Sequence, residues 1–362
     1  MRFYLKLISV LCLLAVVGAT AAYMYCIDKI NVPLKVNEGA GFYQVAPGTG
    51  LSAIAAELEG KGVIESARLV SIYGRLNGYA SKLKAGEYQL RNGMSVDNLF
   101  ELLSSGNVVQ YSVTLIEGHT FSEFRKRLAD SLAASSKTTV IESSAKEDEE
   151  LSPGTAQRLS DEEIMAKLGA PGIHPEGYFL PETYHYIKGT TEFELLQRSY
   201  HAMRDTLNSL WADRAKNLPY ETPYEALIMA SIIEKETGVA AEREQIAGVF
   251  VRRLQQRMRL QTDPTVIYGL GDQYKGNLTR KHLKMATPYN TYVIRGLPPT
   301  PIANPSKRAI YAALHPAEGT ELYFVAKGDG SHHFSSTLKE HQAAVRKYQL
   351  QRRSDYRSKP SE

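Results

Sequence analysis

The chain has 362 residues, 43 of them Lys or Arg and 39 Asp or Glu, so its formal charge at pH 7 is only +4. A surplus that small, with no recognition motif beside it, argues against nucleic acid as a partner. Its 2 cysteines, Cys12 and Cys26, both fall in the first apolar segment, which leaves the remainder without a disulfide framework or a thiolate metal ligand.

That segment, Leu7 to Ile27, is interrupted only by small or weakly polar Ser9, Gly18 and Thr20 and is long enough to cross a bilayer as a helix. Arg2 and Lys6 precede it, so the N-terminus is expected in the cytoplasm and the remainder outside it. Ala19-Thr20-Ala21 also reads as a signal-peptide cleavage site. Apolarity continuing through Ala22, Tyr23, Met24 and Ile27 favours an uncleaved anchor over residues 1–28. Cys12 lacks a small residue before it, and lipidation is not expected.

A small mixed module is expected over 41–110. Phe42 to Val45 and Gly86 to Leu90 read as strands; Leu51 to Leu58, Ser66 to Leu76 and Ser95 to Leu103 have helical periodicity. A larger domain then runs over 111–350, opening with a strand at Tyr111 to Ile116 and a helix entered through Gly118 to Phe124. From about Ala134 to Glu163 the chain is dominated by Ser, Thr, Lys, Glu and Asp. A stretch so poor in large apolar residues reads as a loop or insertion that joins no core. The expected class is α+β.

The most informative stretch is Thr222 to Gly238. Thr222 and Glu225 form a capping box, Pro223 takes the first helical position, and Gly238 supplies a stop. Between them Met229, Ile232, Ile233 and Glu236 recur at i, i+3, i+4 and i+7, which places a carboxylate on a face of large apolar side chains. Desolvation there holds the proton to higher pH, as a general acid working near neutrality requires. Glu234 competes for the role, because the helix is apolar nearly all round. An ordinary ion pair with Lys235 or Arg243 is the structural alternative.

Downstream, Pro264 biases Asp263 out of the helical region and is expected to end a helix running from about Ala240 to Met258. Gln261, Thr262 and Asp263 are then free to point outward. His332, His333 and His341 come without a His-Glu-x-x-His pattern, so no metal site is expected. Tyrosine is abundant, 22 against 10 Phe and 1 Trp, and a ring with a hydroxyl edge suits carbohydrate.

The run from Met229 to Thr237, then Ala241 to Arg243, then Met258 to Gly269 closely resembles the MltG (YceG-like) family of membrane-bound endolytic lytic transglycosylases, which cut peptidoglycan glycan strands. Thr287 to Tyr292, Gly296 to Pro299, Ile302 to Pro305, His315-Pro316 and Leu322 to Ala326 carry the resemblance further, as does Glu176 to Tyr184. It implies that Glu236, the second Glu of Glu-Lys-Glu-Thr, is the catalytic acid and Thr237 the hydroxyl that follows it. It implies sugar contacts from Gln261, Thr262, Asp263, Tyr268, Tyr289, Asn290 and Tyr292, with Glu182 as a possible second carboxylate in the cleft. No cofactor is implied.

Pro47 to Leu51 and Leu83 to Tyr88 resemble the family's LysM-like subdomain, whose LysM relatives bind amino-sugar polymers; a module that only packs beside the catalytic domain is the alternative. The resemblance further implies single-pass anchoring in the bacterial plasma (inner) membrane with a periplasmic catalytic domain. Cleavage of the MurNAc-GlcNAc bond inside nascent strands would leave 1,6-anhydro-MurNAc ends and stop elongation. Penicillin-binding synthases of the elongation machinery are the implied protein partners. Two other readings remain open: a non-enzymatic wall-binding scaffold in which Glu236 is structural, and a hydrolase with Glu182 or Asp263 as second carboxylate.

Overall fold

The protein is described here by a computed structural model covering residues 2–36, 41–136 and 158–350. Its first element, α1 (Arg2–Ile30), is one continuous helix, of which Leu13–Ile30 is apolar and long enough to cross a membrane. The chain divides into two compact units. The first runs to Tyr111 and includes residues 132–136 and 185–190; the second takes Ser112–Ser131, 158–184 and 191–350.

In the first unit, β1 (Gly41–Val45), α2 (Leu51–Gly60), α3 (Ala67–Leu76), β2 (Gly86–Leu90) and α4 (Val96–Ser105) follow in that order. The strands pair antiparallel with Tyr43 opposite Tyr88. Both tyrosines are wholly buried, and each places its hydroxyl on a partner: Tyr43 donates to Glu57, Tyr88 to the carbonyls of Lys84 and Leu103. Serine side chains cap α3 and α4, at Ser66 and Ser95, and Gly106 ends α4 in the left-handed conformation at φ 79°. Gly74 lets α3 approach its neighbours, since a Cβ there would sit 2.8 Å from both Leu51 and Phe100. The buried carboxylate of Glu87 is held by Lys188 at 2.7 Å and by the Tyr111 hydroxyl at 2.6 Å.

The second unit is mainly helical. The pair β3 (Tyr111–Thr114) and β4 (Thr183–Tyr186) is joined across its face by the Thr114 and Thr183 hydroxyls at 2.9 Å. Helices α5 (Phe121–Ser136), α6 (Asp161–Lys167) and α7 (Glu192–Ala212) precede α8 (Pro223–Glu236), and α9 (Arg243–Gln255), α10 (Asp263–Leu270), α11 (Arg280–Lys284) and α12 (Lys307–Leu314) follow. The antiparallel pair β5 (Tyr323–Ala326) and β6 (His332–Ser335) precedes α13 (Leu338–Val345). Every residue of α8 from Ala226 to Ile233 is buried, as an all-round apolar helix must be, and α7, α9, α10 and α12 pack on it.

Two expectations change. The segment 134–163 is not uniform: Ala134 to Ser136 complete α5, and Arg158 to Glu163 are built into the second unit, while 137–157 lie outside the described residues. Ser160 caps α6 in a reciprocal box with Glu163, and Arg125 binds Asp161 at 2.5 Å and Glu192 at 3.0 Å, with Arg158 on the same Glu192 at 2.7 Å. Pro264 does not end the preceding helix. Arg243–Gln255 stops earlier, beside Arg257 in the left-handed region at φ 57°, and Pro264 instead lies in the first turn of α10, where its missing N–H costs nothing.

Candidate active site

Helix α8 delivers two carboxylates at its C-terminal end, and their partners divide their roles. Glu234 is almost wholly enclosed, its side chain 4 % exposed. The Ser306 backbone N–H donates to it at 2.8 Å, the Ser306 hydroxyl also donates, and the Arg243 guanidinium lies 3.4 Å away. Its charge is therefore matched, and it ties the first turn of α12 to the end of α8. Lys235 turns the other way and donates to the Gly118 carbonyl at 3.0 Å.

Glu236 is half-buried and has no ion pair of this kind among the described residues. Burial pushes its carboxyl up from 4.5 to about 7, and the negative charge of Asp263 pushes the same way; the Thr262 hydroxyl and the Arg253 charge oppose them. Near neutrality it is thus divided between protonated and ionised forms, which suits a group that gives a proton and takes one back. The Thr262 hydroxyl hydrogen-bonds it directly, its Oγ1 donating to Oε1.

That hydroxyl is aimed by a lattice of buried threonines. Thr262, Thr265 and Thr291 are at most 2 % exposed. The Thr262 N–H donates to Thr291 Oγ1 at 3.0 Å, Thr265 Oγ1 donates to the Thr262 carbonyl at 2.8 Å, and the Thr265 and Thr291 hydroxyls meet at 2.9 Å. Arg253 holds the approach to Thr262 from below: its guanidinium donates to the carbonyls of Leu260 at 2.8 Å, Arg259 at 3.1 Å and Leu322 at 2.7 Å, and packs over the Tyr323 ring. Gln261 sits between them in the left-handed region at φ 54°, its amide oxygen 3.4 Å from Arg253.

The other expected site residues take several positions. Asp263 is exposed and accepts from the Tyr292 hydroxyl at 2.7 Å; burial, helped by this bond, raises the Tyr292 phenol and keeps it protonated. Tyr268 and Tyr289 meet edge to face with centroids 5.0 Å apart, and Tyr289 shares a hydrogen bond with Thr300 at 2.9 Å. Thr237 is buried and caps the end of α8, accepting from the Val239 N–H at 2.9 Å. Thr262, expected to point outward, is instead buried against Glu236.

Asn290 is wholly buried: its amide donates to the carbonyls of His282, Leu283 and Met285 and its oxygen accepts from the Tyr292 N–H, which makes it the frame of its loop and leaves no group for a sugar. Glu182 is exposed, and its backbone carbonyl accepts from the Leu115 N–H.

The second enclosed carboxylate is Glu176, in the same sequence segment as Glu182. It accepts from the Phe121 N–H at 2.9 Å, the Tyr268 hydroxyl at 3.1 Å and the Asn304 amide at 3.4 Å. Burial pushes it from 4.5 to about 7. It opens the family-like segment Glu176 to Tyr184, just before Gly177, which is left-handed at φ 86° and packed against Pro301. Glu176 is surrounded by protein donors and braces Tyr268 on α10, whose first turn follows Thr262.

Among the described residues, no group of His, Cys, Asp and Glu is arranged to hold a metal ion. His332 is paired with Glu242 at 2.8 Å, and His341 stacks on Tyr323 with centroids 5.1 Å apart.

The sequence is 34% identical over 307 residues to the endolytic murein transglycosylase of Bacillus subtilis strain 168, covering 84% of this chain and 83% of that protein. It is 28% identical over 357 residues to the endolytic murein transglycosylase of Streptococcus pneumoniae strain D39, covering 93% of this chain and 64% of that one. A solved yceG-like protein from Listeria monocytogenes is 30% identical, covering 84% of this chain and 99% of that chain at a TM-score of 0.47. The sequence pattern of the YceG-like family matches residues 43–347, and the chain belongs to that family.

Proposed function

We propose that the protein is a membrane-anchored lytic transglycosylase that cleaves the MurNAc-GlcNAc bond inside nascent peptidoglycan strands, with Glu236 as acid and then base. The observation that carries this reading is Glu236 itself: a carboxyl that burial holds at about 7, bonded to an aimed hydroxyl and without a salt bridge among the described residues. Protonated Glu236 gives its proton to the glycosidic oxygen, and the bond to C1 breaks toward an oxocarbenium-like state. The resulting carboxylate is stabilised by the Thr262 O–H and then takes the proton of the sugar's own C6 hydroxyl as that oxygen closes on C1. The product is a 1,6-anhydro-MurNAc end. Water enters nowhere, so a second carboxylate is not required.

Asp263 and Tyr292 form a polar edge beside this acid, and Gln261, Tyr268 and Tyr289 supply further surface for sugar rings. Helix α1 crosses the plasma membrane with Arg2 and Lys6 on the cytoplasmic side. The first unit, where its sequence resembles a LysM-like subdomain, holds glycan, and cleavage within growing strands limits their length alongside penicillin-binding synthases. Mass analysis of products from purified glycan strands tests the chemistry. Anhydro ends are expected; reducing ends mean that water attacked, and no cleavage at all leaves only a wall-binding scaffold.

A further inference from the structure

We infer that the outer face of α3 is a second membrane contact, which seats the first unit on the lipid surface beside α1. The inference rests on α1 being a membrane span. Helix α3 buries Val70, Ser71 and Gly74 against its own unit. Its opposite face carries Arg68, Ile72, Arg75 and Leu76, with Ile72 46% and Leu76 82% exposed. Ile72 and Leu76 are one turn apart and form an apolar ridge; the Arg75 guanidinium donates to the Ser52 hydroxyl at 2.6 Å, and exposed Arg68 has a stem long enough to carry its charge to headgroups.

What covers this ridge follows from where α1 places it. The two helices contact each other. Glu65, just before the Ser66 cap of α3, bonds Lys29 in the last turn of α1 at 2.9 Å and lies 3.6 Å from Lys35. Farther along α3, Tyr73 has Tyr23 of α1 as an electrostatic neighbour. The helices therefore run antiparallel, and α3 descends along α1 toward the membrane, with Leu76 about 4.5 Å beyond Tyr73 at the rise of a helix.

Helix α1 has 29 residues and is about 43 Å long, against a hydrocarbon core of roughly 30 Å. About 20 residues counted from Arg2 bring the outer boundary to Tyr23 or just before it; counted from Lys6, to about Cys26. On the first count Tyr23 lies at the outer boundary and Tyr25 just beyond it, and on the second both lie just inside it, the level at which aromatic belts form. Tyr73 stands at the level of Tyr23, with Ile72 about 1.5 Å above it and Leu76 about 4.5 Å below it along the helix. Interfacial helices bury such a face about 5–10 Å into the headgroup and acyl boundary. The occupant is the outer lipid surface of the membrane that α1 crosses.

The test uses the full chain with Cys12→Ser and Cys26→Ser, a single cysteine labelled with an environment-sensitive fluorophore, and vesicles of phosphatidylethanolamine and phosphatidylglycerol carrying doxyl lipid. All three labelled positions are exposed, so the core is untouched. The label on Leu76→Cys is expected to be quenched by doxyl lipid, more by a doxyl group near the headgroup than by one at the acyl end, and to be shielded from iodide. The label on Gln44→Cys, on the outer face of β1, is expected to respond to iodide alone. Leu14→Cys reports the span itself.

If the Leu14 label is quenched by lipid while the Leu76 label answers only to iodide, the α3 contact is wrong and the anchor stands. If the Leu14 label is not quenched by lipid, the span reading falls and takes this inference with it. Equal lipid quenching at Gln44 and Leu76 would overturn the assignment to α3.

Discussion

Replacing Thr262 with Val removes one proton donor from the carboxyl of Glu236 and little else. The two side chains are nearly isosteric, and the bonds that fix Thr262 in place use its backbone N–H and carbonyl, both kept in the variant. A hydrogen bond to a charged group contributes about 1.5–3 kcal/mol. One pKa unit corresponds to about 1.4 kcal/mol, so loss of the bond should raise Glu236 by roughly one to two units above its present position near 7. The sign follows from the bond's preference for the ionised form, which Thr262 stabilises and Val does not.

Because Glu236 must be protonated to act as acid, the alkaline limb of kcat against pH should move upward by about the same one to two units. The rate plateau should fall by about 10- to 100-fold, since the carboxylate formed by proton transfer loses the same stabilisation. The assay is release of soluble products from purified glycan strands across pH 5 to about 10, with folding checked by circular dichroism. An alkaline limb that stays in place or moves down would refute the role given to Thr262.

Glu236→Gln keeps the shape of the acid without its transferable proton, and turnover should fall by ~10² to 10⁴ while the protein still sediments with glycan strands. Binding lost together with turnover would mean the substitution damaged the cleft. Glu234→Gln leaves Arg243 without its buried anion and should lower stability by about 3 kcal/mol in urea titration while kcat of the folded fraction changes much less; the reverse pattern would make Glu234 the acid. Glu176 holds its proton up to about 7 in the folded protein but only to 4.5 when unfolded, so its contribution is fully present below pH 4.5 and is lost as pH rises to 7, by up to about 3 kcal/mol. Glu236 acts with the same sign. Glu176→Gln should flatten the fall in urea stability between pH 5 and 8, and an unchanged slope would show that Glu176 is ionised throughout. Excising 137–157 should leave thermal unfolding nearly unchanged, whereas excising 134–163 removes Arg158, Asp161 and the Ser160 cap and should lower the midpoint by several degrees.

Local signals made the scaffold of the site readable in the sequence. The capping box at Thr222 and Glu225, the proline at 223 and the unbroken apolar run bound α8 within a residue of its observed ends, because each acts between neighbours along one helix. The apolar stretch of α1 and the strands and helices of the first unit were legible for the same reason. Periodicity could not separate Glu234 from Glu236, because Ala226 to Ile233 are buried on every side and no face of α8 is distinguished by burial.

Tertiary structure decided the rest. Arg243 pairs with Glu234 and Ser306 donates to it, while Thr262 donates to Glu236; these partners lie between nine and 72 residues away, beyond any helical spacing. Glu176 and Glu182 are six residues apart in one segment, yet only Glu176 is enclosed, because Phe121, Tyr268 and Asn304 converge on it from three other parts of the chain. The sequence determined which carboxylates exist and which helix carries them. Whether each holds its proton near neutrality depends on the desolvation and donors that packing assembles around it, and no contiguous stretch of residues contains that information.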